Sequence, residues 1–145
     1  MHLDDRQLLI QAINLDYTPE LFTVSIESPE ERTQVKSNAD RAFKLIVTND
    51  KRRWISSNTK NISCQEFGES APVWEINMPA SGYDYRLFPF DREHFMIHEK
   101  QGSLKSHRIS DGSQVWTLPG VIRFHVSGKN IAIGNRDGVE IWAAD

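Results

Sequence analysis

The chain has 145 residues, 39% hydrophobic and 26% charged, which excludes a disordered polymer and suits a folded domain with a sizeable core. Its formal net charge of -3 runs against a nucleic-acid partner, because phosphate binding leaves a basic footprint. The single cysteine, Cys64, excludes an intrachain disulfide and a Cys-based zinc site, and no apolar run approaches the roughly 18 residues that span a bilayer.

Asp4 and Asp5 stand where an export signal needs basic residues ahead of an apolar run, so a cytoplasmic location is expected. The sequon Asn61-Ile62-Ser63 then reads as chance. Residues 1–42 and 43–145 differ in pattern. In the first segment Leu8, Leu9, Ala12 and Ile13 recur at helical spacing, which predicts a helix from Asp4 to Leu15, ended by Pro19. Leu21 to Ile26 alternates as a strand does. Ser28, Pro29 and Glu31 compose a capping box, which predicts a second helix to Ala39.

From Phe43 the hydrophobic period becomes two. Phe43–Thr48, Arg53–Asn58, Ile62–Phe67 and Val73–Ile76 are rich in β-branched and aromatic residues, with turn chemistry between them. The unit recurs as Tyr85–Phe90, His94–Glu99, Leu104–Ile109 and Val115–Leu118. It starts again with Ile122–Val126, Asn130–Asn135 and Val139–Trp142. Ile62 to Leu104, Val73 to Val115 and Trp74 to Trp116 are each 42 residues apart; Phe88 to Phe124, Ile97 to Ile133 and Gly102 to Gly138 are each 36 apart. About 40 residues with four strands per repeat is the β-propeller period. The expected fold is mainly β: stacked four-stranded antiparallel meander sheets, a partial or oligomer-closed β-propeller with a short helical N-terminal segment. The expected blades are 43–79, 80–119 and 120–145.

The run from Arg108 to Trp116, with Asp111-Gly112 at its turn and Trp116 on the outer strand, resembles the quinoprotein-type propeller repeat. Phe67 to Trp74 is a looser copy. Gly138 to Trp142 is similar to the WD40 pattern, although Ala143 replaces the aspartate expected after Trp142. The resemblance implies rigid sheets whose facing surfaces are filled by Trp74 and Trp116. A propeller closes with four or more blades, and these repeats supply about two and three-quarters. The expectation is therefore a piece of a larger propeller protein without activity of its own, a homo-oligomer that closes the ring, or a stack capped by residues 1–42. In the last case Leu21–Ile26 supplies the strand missing from the third blade.

Candidate chemistry is sparse. His94, Met96 and His98 share one face of a strand with His107 on the next, but residues four apart on a strand are about 13 Å apart, too far for one metal ion. Asp91, Glu93 and His94 gather acid–base groups, yet read as a solvated turn. Cys64 has no basic neighbour in sequence and reads as a buried, inert thiol. Lys51, Arg52 and Arg53 sit at a hairpin tip suited to an acidic protein surface. Tyr83 and Tyr85 lie on a connection between repeats and are candidate interface anchors. With no catalytic, metal or cofactor set, the expected role is a non-enzymatic protein-interaction or scaffolding module, with no nucleic acid or membrane partner. The alternative that the resemblance implies is a quinoprotein-like oxidoreductase holding pyrroloquinoline quinone. That role would need a longer chain and an adjacent cysteine pair.

Overall fold

Every regular element is a strand in the computed structural model, which describes residues 7–13, 19–28, 30, 32–35, 44–57, 60–69, 71–78, 85–128 and 130–143. Strands β1 (Gln7–Ile13), β2 (Pro19–Ser25) and β3 (Arg32–Val35) form one antiparallel sheet in chain order. Strands β4 (Lys44–Val47), β5 (Arg53–Ser57), β6 (Asn61–Glu66) and β7 (Pro72–Asn77) form a four-stranded meander. A second meander contains β8 (Tyr85–Pro89), β9 (His94–Glu99), β10 (Leu104–Arg108) and β11 (Gln114–Leu118). The last sheet is β12 (Arg123–Ser127), β13 (Asn130–Gly134) and β14 (Val139–Ala143). The contacts divide the chain into two compact units, Met1–Tyr83 and Asp84–Asp145.

The expected N-terminal helices are not present among the described residues. Gln7–Ile13 pairs along its whole length with β2, from Gln7 opposite Ser25 to Ile13 opposite Pro19. Leu8, Ile10 and Ala12 alternate as well as Leu8, Ala12 and Ile13 follow a helix, so the short apolar run satisfies both periods. A lone helix of this length is marginal, whereas a strand here gains a full ladder. The capping-box reading fails for a local reason. The amides of Glu27 and Ser28 donate to the Ser25 hydroxyl at 3.2 and 3.3 Å, so Ser28 belongs to the turn that follows β2 and not to a helix start. Arg32–Val35 then pairs back onto β2. With β1 on one edge and β3 on the other, β2 has no free edge and does not supply a fourth strand to β12–β14.

In the first unit, β5 forms the heart of the β4–β7 sheet: Trp54 and Ile55 are 1% and 0% exposed. Trp54 packs with Val47, Leu45 and Phe67. In the second unit the two sheets pack face to face. Met96 and Leu104 from β9 and β10 meet Val121, Ile131 and Ile133 in one buried cluster. The phenyl rings of Phe88 and Phe124 cross edge to face at 4.8 Å, and Phe90 meets Trp116 the same way at 6.5 Å.

The 42-residue recurrence is structural. Trp74 lies opposite Cys64 and Ile76 opposite Ile62; Trp116 lies opposite Ser106 and Leu118 opposite Leu104. Both sheets carry a β-bulge at the corresponding step, between Cys64 and Gln65 and between Ser106 and His107. Both indoles are half-buried. Trp74 and Trp116 occupy equivalent places.

Candidate functional site

The basic tip is built on Thr48 and Asp50. The Thr48 hydroxyl donates to Asp50 Oδ1 and lies 2.9 Å from the Arg53 carbonyl, while the Arg53 amide donates back to it at 3.1 Å. Asp50 Oδ1 also accepts the Arg52 amide at 3.0 Å. Partial burial works to raise the Asp50 carboxyl, but the Thr48 hydroxyl, the Arg52 amide and the nearby guanidinium groups outweigh it and hold it below its ordinary value. The Lys51 amide closes the turn on the Thr48 carbonyl at 2.8 Å, with Lys51 at a φ of 58°. That left-handed conformation is costly for a residue with a side chain and persists only where neighbours impose it. Lys51 and Arg52 are exposed and Arg53 half-buried, so a stiff hairpin presents two outward cations.

Of the tyrosines, Tyr85 is 2% exposed and fills the core of its sheet, a position that offers no docking surface; Tyr83 lies outside the described residues. The histidines are held apart by separate bonds. The His94 Nδ1–H donates to the Asp91 carboxylate, 3.0 Å from each oxygen. His98 Nε2–H donates to the Val121 carbonyl at 2.9 Å, and its ring meets Phe124 edge to face. His107 Nδ1–H donates to the Gly112 carbonyl at 2.9 Å. Among the described residues no three His, Cys, Asp or Glu side chains converge as a metal cage. Asp91 Oδ1 accepts the amides of Glu93 and His94, each at 2.7 Å. Burial pushes its carboxyl up, and the bonds from His94 and these amides more than offset that, so it stays below its usual range. The turn is a structural Asx motif. Cys64 is fully buried, and desolvation pushes its thiol up to about 12, so the thiolate is not formed at neutral pH.

His107 introduces a pH dependence. Burial pushes the imidazole below its ordinary pKa, against the opposing effect of its bond to Gly112. Its Nε2 has no hydrogen-bond partner and its ring lies on Phe95 at 5.4 Å, so a second N–H would enter the core unmatched. Because the folded pKa is lower than the unfolded one, about 6.5, the unfolded chain takes up the proton first as pH falls. Stability is full above that value and declines through the window down to the folded pKa. Thermal melts at pH 7.5 and 5.5 are expected to show a lower midpoint in acid, and His107→Phe is expected to flatten this difference. An undiminished difference in the variant would remove His107 as the cause.

The second unit also holds a cleft of about 480 Å³. It lies among His98 near the end of β9, the β9–β10 turn (Lys100, Gly102), residues 119–122 and the β13–β14 turn (Arg136, Asp137). The Val121 amide donates to the Gly102 carbonyl at 2.7 Å. Gly102 has a φ of +91°, so glycine permits the turn, while a Cβ there would meet the Val121 carbonyl only at ordinary contact distance, 3.4 Å. The cleft was not singled out from the sequence. The signal was the 36-residue offset of Gly102 and Gly138, which brings two like turns to one end of neighbouring sheets.

No family model matches the sequence, and no curated protein does. Solved structures match it. The computationally designed Ika4 protein superposes with a TM-score of 0.64 at 10% identity, over 98% of this chain and 88% of that one. The likeness is one of fold. The computationally designed Ika8 protein gives 0.63 at 11% identity, over 97% of this chain and 43% of that one. At these identities the shared property is the arrangement of antiparallel sheets, and fold alone fixes no function.

Proposed function

We propose that the protein is a non-enzymatic interaction module, its meander sheets acting as propeller-like blades that present turns to an acidic protein surface. The observation that carries this reading is the Thr48–Arg53 hairpin. Its backbone is held by the Asp50 and Thr48 side chains while Lys51 and Arg52 project outward. Binding to such a tip costs little loop-ordering entropy, which is the usual penalty for recognition by a turn. The reading also draws on the chemistry of the reactive side chains. His94, His98 and His107 each spend a ring nitrogen on a structural bond, and the Cys64 thiol is suppressed.

The test uses an immobilised poly-glutamate surface at low ionic strength. The wild-type chain is expected to be retained and to elute with salt, while Lys51→Glu/Arg52→Glu is expected to bind at least about tenfold more weakly, equivalent to about 1.4 kcal/mol. Both positions are exposed, so the double variant should melt as the wild type does. Equal retention of the two proteins would overturn the reading.

A further inference from the structure

The two turns that border the cleft of the second unit come from equivalent places in neighbouring sheets. Lys100 and Arg136 are 36 residues apart, the offset that relates Gly102 to Gly138, and both line the cleft. Both are exposed, and among the described residues neither side chain enters a salt bridge or a hydrogen bond. Lys105, by contrast, is bonded to Glu99 at 2.6 Å. The lining holds one acid, Asp137, so two cations stand against a single carboxylate in a chain whose formal net charge is -3. The cleft reverses the overall sign of the protein locally, and such a reversal draws anions.

The segment between the two turns is fixed. The Val121 amide donates to the Gly102 carbonyl at 2.7 Å, and the Ile122 amide to the Gly134 carbonyl at 2.9 Å. His98 Nε2–H donates to the Val121 carbonyl at 2.9 Å. Asn135 is spent as well, its Nδ2 donating to Glu140 and its Oδ1 accepting the Asp137 and Gly138 amides. Ile122 is 55% exposed and Pro119 is exposed too, so the cleft adds apolar surface to its two unspent cations. Its volume of about 480 Å³ lies within the range of small-molecule sites, about 300–1,000 Å³. A backbone already tied to both sheets costs a ligand little ordering.

We propose that the cleft binds a small organic phosphate, held at its phosphoryl group by Lys100 and Arg136, with Pro119 and Ile122 against the organic part. A phosphate monoester carries about 1.5–2 negative charges at neutral pH, which matches two cations, whereas a monocarboxylate would leave one of them unmatched. The planar fork of arginine and the ammonium of lysine are both established partners of phosphate oxygens. The site goes beyond the interaction-module reading and shares no residue with the Thr48–Arg53 hairpin, so each can fail without the other.

The probe is phenyl phosphate, titrated into the isotope-labelled full chain and followed by amide NMR. Saturable shifts are expected, confined to residues 98–102, 119–122 and 135–138. Benzoate keeps the ring with a single charge, and inorganic phosphate lacks the ring; each is expected to bind at least about tenfold more weakly. Lys100→Gln/Arg136→Gln is expected to weaken phenyl phosphate binding at least about tenfold and to melt as the wild type does, because both positions are exposed. Lys51→Glu/Arg52→Glu is expected to bind phenyl phosphate normally. Should Lys100→Gln/Arg136→Gln melt lower, the two control anions and the location of the shifts on the wild-type protein decide the matter. No saturable shifts, shifts centred elsewhere, either control anion binding as tightly as phenyl phosphate, or full binding by a well-folded Lys100→Gln/Arg136→Gln would overturn the proposal.

Discussion

Leu104→Ala is expected to lower the stability of the second unit by about 2–5 kcal/mol, the range for emptying a filled aliphatic site in a core. Leu104 has no solvent exposure and touches the point where two sheets meet, with Met96, Val121, Ile131 and Ile133 around it. Those neighbours lie in three separate places along the chain, Met96 on β9, Val121 in the β11–β12 connection, and Ile131 and Ile133 on β13. They have little freedom to close over the void, which favours the upper part of the range. Urea unfolding followed by tryptophan fluorescence provides the measurement, because Trp116 packs against the same cluster. A loss below about 1 kcal/mol would mean that the two sheets are not packed through this residue.

Trp54→Ala is expected to cost about 3–5 kcal/mol in the first unit, and Trp54→Phe much less. The indole is 1% exposed and fills the space among Leu45, Val47 and Phe67. Its N–H, however, is buried with no hydrogen-bond partner. An unpaired buried donor carries a penalty of about 1–3 kcal/mol, and phenylalanine removes that donor while keeping most of the apolar surface. The volume lost in Trp54→Phe and the penalty relieved therefore oppose each other. Denaturation midpoints of the two variants separate the effects. If Trp54→Phe proved as costly as Trp54→Ala, the N–H would have to be bonded.

Strand placement after residue 43 was legible because alternation and turn chemistry agreed there. His94–Glu99 has the same ends in sequence and structure, and the other strands of these three sheets differ from expectation by at most one residue at either end. The 42-residue spacing of Trp74 and Trp116 carried further still, down to shared cross-strand neighbours. The N-terminal segment was misread because Leu8, Ala12 and Ile13 satisfy a helical period over too few residues to exclude a strand. Ser28 has the sequence context of a cap, whereas the Ser25 hydroxyl takes the local amides. At the candidate sites, the cations of the tip were visible in the sequence, but the role of Thr48 and Asp50 was not, since it depends on side chains folding back over a turn. Tyr85 shows the reverse limit. A tyrosine on a connection between repeats reads as surface, and only the register of β8 against β9 places it inside.

The matched bulges at Cys64/Gln65 and Ser106/His107 put one irregularity at the same step of two sheets. An extra residue in a ladder bends its strand and increases the local twist. The backbone just ahead of Trp74 and the backbone just ahead of Trp116 therefore turn alike, and each indole is aimed by a local kink as well as by alternation.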